Sequence, residues 1–264
     1  MPMPHPTAGR MAEPRIPHAI SQIGKRKEAP QRRSTLMMRR YHATYLTETG
    51  DIETLEQVAP ALPLFEDAFC AFARGTLVTT EFGSTAVEDL MPGDRIQTVD
   101  NGMQTLLWVG SMSLIPNAKG QSKRMTRLTR FSADSLGFGR PSPDLLLGPA
   151  ANLFQKNSRL PEACGSDKAV LPASGFTDGE SVISVCPATP VQVFHLAFKN
   201  HQIIRVNGLE CESYHPGLTA EMRLSGDMLR LFLSLFPQVN SLDDFGPVSY
   251  PRLSREDMEQ FHAA

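Results

Sequence analysis

The chain lacks long apolar runs, paired cysteines, phosphate-loop glycines and any strong excess of charge. None of its hydrophobic stretches approaches the ~18 residues needed to cross a bilayer, so no membrane-spanning helix is expected. The N-terminus carries prolines and basic residues without a continuous apolar segment, which argues against a secretory signal peptide. The four cysteines, Cys70, Cys164, Cys186 and Cys211, include no C-x-x-C pair. That spacing argues against a metal site, and a chain of 264 residues can build its core without disulfide staples. Reduced thiols in a cytoplasm of bacterial type are the expectation. Nothing resembles a nucleotide-binding loop or a Gly-x-Ser-x-Gly elbow, so no small-molecule cofactor is expected. A formal charge of −2 gives the whole chain no electrostatic pull toward nucleic acid or membrane.

What is present is ordinary globular composition, 41% hydrophobic and 20% charged, with the charge unevenly placed. Residues 1–38 hold Arg10, Arg15, Lys25, Arg26, Lys27, Arg32 and Arg33 against Glu13 and Glu28. With little periodic apolar content they read as a disordered, solubilising segment. A nucleic-acid-binding arm is the competing reading, but no aromatics are interleaved for base stacking. Residues 39–69 form a β-rich lead-in. It has a strand over 41–46, a turn at 48–51, and a second strand or short helix through Ile52 and Leu55. Ala59, Pro60 and Pro63 then break regular structure.

From Gly75 the chain reads as an all-β domain of short strands. Strands over 76–80, 95–99 and 105–109 are separated by turns at Phe82-Gly83, Pro92-Gly93-Asp94 and Asn101-Gly102. Residues 116–125 and 156–165 read as loops. Later strands cover 182–185 and 191–198, with 202–206 pairing back across a Lys199-Asn200 turn to make a hairpin. After Gly217 the period changes from two to 3.6: Leu224, Met228, Leu231, Phe232, Leu235 and Phe236 lie on one helix face, with Ser225 as N-cap and Pro237 as terminator. That stripe is expected to pack on the β-domain. Ser254-Arg255-Glu256-Asp257 is a capping box with Asp in place of Glu, opening a short last helix. The fold class is therefore mainly β, with a helical C-terminal extension over 218–264.

The run Phe72-Ala73-Arg74-Gly75-Thr76-Leu77-Val78, with Val87-Glu88-Asp89-Leu90, Pro92-Gly93-Asp94, Asn101-Gly102 and Trp108-Val109-Gly110, resembles the opening of a bacterial Hedgehog/intein (Hint) domain. Asp144-Leu145-Leu146-Leu147-Gly148-Pro149 resembles the segment bearing that family's histidine motif. Phe194-His195-Leu196, His201, Gly208, Glu212-Ser213 and Pro216-Gly217 resemble its closing strands. The resemblance covers residues 70–217 and implies a compact β-fold. It also implies a Cys or Ser that attacks the preceding carbonyl and a motif His that assists the leaving amide.

The chain departs from that pattern at both chemical positions. The nucleophile should stand immediately before Phe72, where the sequence has Ala71. The histidine should follow Gly148-Pro149-Ala150, where the sequence has Ala151. The resemblance therefore implies a degenerate member, with Ala71, Gly148 and Ala151 as remnant positions and a structural or protein-interaction role toward an unidentified protein partner. The alternative is autoprocessing with Cys70 as nucleophile and His195 or His201 as proton donor. Against it, a shift of one residue in an extended strand turns the side chain to the opposite face. Strand alternation groups His195 with Val193 and Ala197, which favours a buried, hydrogen-bonded imidazole. Asp144 could activate an acceptor hydroxyl, yet an Asp after Pro143 is more often a turn acceptor.

Overall fold

The computed structural model of the protein describes residues 1–2, 36–217, 220 and 224–258. The expectation of disorder for the basic N-terminal segment falls almost wholly on residues 3–35, which lie outside the described residues. From Leu36 the chain forms one compact body.

Strand β1 (Met38–Leu46) buries Arg39, Tyr41 and Ala43 and exposes Met38, Arg40 and His42, the period of a strand with one covered face. It begins at Met38, three residues before the sequence had suggested. A turn with Gly50 at φ +88° leads to β2 (Ile52–Pro60), which pairs along its whole length with β1. Pro63 opens the short helix α1 (Pro63–Asp67), where a missing N–H costs nothing. Then follow β3 (Phe72–Ala73), β4 (Leu77–Thr80), β5 (Gly83–Ala86), β6 (Arg95–Gln97), β7 (Met103–Thr105) and β8 (Trp108–Leu114). The middle of the chain supplies β9 (Leu128–Phe131), β10 (Leu145–Leu147), β11 (Asn152–Lys156), helix α2 (Leu160–Cys164) and β12 (Lys168–Pro172). Strands β13 (Val182–Val185), β14 (Val191–Ala197), β15 (Ile203–Val206) and β16 (Leu209–Glu212) complete the β-structure, and α3 (Gly226–Leu233) follows.

The strands form two sheets, paired antiparallel throughout. One has the order β13-β9-β10-β3-β14-β8-β1-β2, and the other β12-β11-β16-β15-β4-β6-β7 with β5 beside β4. The apolar face between the sheets gathers Phe72, Ile96, Phe131, Leu147, Leu196 and Val206 into one core. A second core lies on the other face of the first sheet. There Tyr41, Phe69, Trp108, Met112, Phe232 and Phe236 meet. Strand β14 serves both, with Phe194 and Leu196 in the first core and Val193 and Ala197 in the second. The lead-in is thus continuous with the sheet, since His42 to Tyr45 pair with Ser111 to Trp108.

Two expected pairings differ. Residues 191–198 and 202–206 do not form a hairpin. Strand β14 pairs with β3 and β8, whereas β15 pairs with β16 and β4 in the other sheet. Residues 105–109 are likewise divided between β7 in one sheet and β8 in the other, with fully buried Leu106 at the crossing. The stretch 156–165 contains α2, closed by Gly165 in the left-handed conformation at φ +72°. The C-terminal helix ends at Leu233 rather than reaching Phe236. Its stripe does pack as expected. Phe236 stacks on Trp108 at 4.6 Å, and the indole Nε1–H donates to Leu235 O at 2.9 Å. Burying rings such as Phe232 and Phe236 stabilises this contact by about 1.5–3 kcal/mol each. The Ser254 box is present too: Ser254 N donates to Asp257 Oδ2 at 2.7 Å and Asp257 N to Ser254 Oγ at 3.1 Å.

Candidate functional site

The peptide joining Cys70 to Ala71 runs into β3 and is held from both sides. Ala71 N donates to Phe194 O at 2.9 Å on β14. Opposite, the turn after β10 closes over it: Gly148 N donates to Ala71 O at 2.7 Å and Ala150 N to Cys70 O at 3.1 Å. Gly148 is required by this approach, because a Cβ there would stand 2.1 Å from the Cys70 carbonyl oxygen. Ala71 and Ala151 belong to the same core cluster between the sheets, and both are buried. Cys70 belongs to the other cluster, with Phe69, Tyr41 and Trp108. Burial pushes its thiol well above the ordinary range, and the nearby charge of Asp67 adds to the effect. A thiol so held presents very little thiolate at neutral pH.

The two histidines singled out from sequence occupy different surroundings. His195, on β14, has Nδ1 2.9 Å from Asp67 O and packs edge-on against Tyr214 and Phe72. Burial lowers it to about 4, so it is neutral at pH 7. His201, beyond the end of β14, accepts from Ser249 N at Nδ1 (2.9 Å), which puts its proton on Nε2. That nitrogen lies 2.9 Å from Glu212 Oε1, at ion-pair distance but out of hydrogen-bond alignment. Its aromatic neighbour is His215, at 5.4 Å between ring centroids. Asp144 is exposed at the head of β10, paired with Arg130 and accepting from Ala133 N at 2.7 Å. The Arg130 hydrogen bond holds its carboxyl below the usual range. It performs the turn-acceptor task.

Sequence reasoning missed the buried carboxylate of Glu212. Glu212 accepts from Asn152 Nδ2 at 2.6 Å and from Arg252 Nε at 2.7 Å. Burial alone would raise its carboxyl, but His201 and Arg252 together hold it at about 2. Strand β16 reads Leu209-Glu210-Cys211-Glu212, so alternation sets Glu212 with the half-buried Glu210 and gave no signal of its burial. Arg252, forty residues later, gave no local signal. A cavity of about 1300 Å³ opens beside this network, walled by Pro149, Ala150, Asn152, His195, Glu212 and Tyr214, with residues 248–255 along one side. Among the described residues no three His, Cys, Asp or Glu side chains converge as metal ligands. Among them, too, no helix is long and apolar enough to cross a membrane.

No curated protein matches the chain. Among solved structures it is similar to a bacterial intein-like domain from Clostridium thermocellum determined in solution. The two are 13% identical with a TM-score of 0.38, over 55% of this chain and 99% of that one. The family model described as the Hint domain matches residues 70–218. The chain therefore belongs to the Hint domain family.

Proposed function

We propose that this protein is a Hint-fold module that has lost self-cleavage and serves a structural or protein-interaction role. The observation that carries the reading is the clamped Cys70–Ala71 peptide, flanked by methyl groups where attack and proton transfer would be needed. Ala150 N–H still points at the Cys70 carbonyl oxygen, as a donor stabilising a tetrahedral oxyanion would. Without a nucleophile at residue 71, no negative charge develops for it to stabilise. Without an imidazole at residue 151, the leaving amide has no proton donor from the histidine motif.

Cys70-dependent processing would require the thiol to attack the Phe69 carbonyl. The thiol is buried among aromatic rings and held in its neutral form, which opposes that step. Intact-mass measurement of the purified full chain tests the proposal. A single full-length mass should persist through incubation with hydroxylamine or a small thiol, because no ester or thioester forms. Fragments ending at Phe69 or Cys70, absent from a Cys70→Ala variant, would restore the autoprocessing reading.

A further inference from the structure

We propose that the cavity beside the Glu212 network is a docking groove for an acidic, extended peptide segment of a partner protein. The proposal deepens the interaction role above by naming the chemistry of the partner. Four arginines line the cavity, Arg124, Arg127, Arg252 and Arg255, against two carboxylates, Asp67 and Glu212. Both carboxylates are already paired within the fold. Asp67 meets Arg124 at 2.5 Å, and Glu212 meets Arg252 at 2.7 Å and His201 at 2.9 Å. Arg127 is exposed, and among the described residues it meets Ser184 Oγ at 3.3 Å and no carboxylate. Among the described residues the lining thus leaves the Arg127 guanidinium without a carboxylate, in a molecule whose net charge is −2. A concave wall concentrates that potential.

The remaining lining is built for a hydrogen-bonding chain. Thr129, Ser174, Thr177 and Ser184 offer hydroxyls around the opening. In the wall, the Tyr214 hydroxyl is buried with no hydrogen-bond partner among the described residues. The volume of about 1300 Å³ exceeds the roughly 300–1,000 Å³ of small-molecule pockets, so several linked residues fit better than a compact metabolite. Nucleic acid fits less well. Base binding needs exposed aromatic platforms, whereas Tyr214 is buried and stacked on Phe236, and the half-buried Tyr250 is packed on Phe154 with its hydroxyl donating to Asp100.

Fluorescence anisotropy with the full chain decides the matter. The probes are a labelled peptide of roughly ten alternating Glu and Ser residues, its Lys–Ser counterpart, and an oligothymidylate of similar extended length. Saturable binding of the acidic peptide is expected, weakening as salt screens the contact, with no saturation by the basic peptide. Arg127→Glu, at an exposed position outside both cores, should weaken binding by at least about tenfold and leave the melting temperature unchanged. Equal binding of acidic and basic peptides, tighter binding of the oligonucleotide, or an Arg127→Glu affinity equal to the wild type would overturn the proposal. Intact mass recorded on the same samples keeps the two readings apart. A cleaved chain that still binds sinks only the loss of self-cleavage, and an uncleaved chain that binds nothing acidic sinks only the groove.

Discussion

Gly148 is the residue on which the closed site turns. Its Cα sits against the Cys70 carbonyl, and an added methyl would meet that oxygen at 2.1 Å, with the Cys70 carbonyl carbon at 2.8 Å. Both atoms are backbone and cannot swing aside. Gly148→Ala is therefore expected to open the hydrogen bonds from Gly148 N to Ala71 O and from Ala150 N to Cys70 O, and to cost about 2–4 kcal/mol of stability. Urea denaturation measures this directly, and an unchanged midpoint would show that the turn has room that the structure does not. Ala71 and Ala151 lie in the core beside this contact, so their small size is also a packing requirement. This gives the two alanines a place in the packed interior whatever chemistry the module performs. Gly110 poses a similar constraint at another point, where a Cβ would fall 2.0 Å from the Trp108 ring.

Among the elements, the β1–β2 hairpin and α3 matter most for integrity. The hairpin extends the sheet that carries the site, and α3 packs on the outer face of that sheet. The hairpin brings Tyr41, Ala43 and Ala59 to the second core, and α3 with the turn after it brings Phe232, Leu235 and Phe236. A buried ion pair fastens the hairpin to α1, with Arg39 Nη2 2.8 Å from Glu66 Oε1 and Arg39 Nη1 donating to Ser113 O at 3.0 Å. Breaking such a pair strands a buried charge. A fragment limited to residues 70–217 would expose Trp108, Met112, Leu114 and Val193 together as a continuous apolar patch. It should be aggregated or unfolded, whereas residues 36–264 should unfold cooperatively. A 70–217 fragment with dispersed amide resonances and a sharp thermal transition would refute this.

For the whole molecule, the buried histidines link stability to pH. His195 and His215 are both held near 4 by burial, below the 6.5 of a free imidazole. The unfolded chain therefore binds protons first as pH falls. Stability should be complete above about pH 6.5 and decline toward pH 4, by on the order of 3 kcal/mol for the fully buried His195. Glu212, held at about 2 against an ordinary 4.5, extends the loss below pH 4.5. Urea midpoints between pH 7.5 and about 4 read the slope, and a flat profile would contradict these burials. Much of this architecture was legible in the chain itself. The Pro92-Gly93-Asp94 turn, with Gly93 at φ of 104°, the apolar stripe around Phe232, and the Ser254 capping box depend on residues a few positions apart. Local sterics and side-chain period determine such features wherever they occur. Motif order alone proposes Ala71, Gly148 and Ala151 as remnant positions, without coordinates. The tertiary structure alone decided which sheet each strand joined. It alone brought Arg252 to Glu212. Strands with the same alternating pattern compete for the same apolar faces, and only the closing of both cores together selects among their pairings.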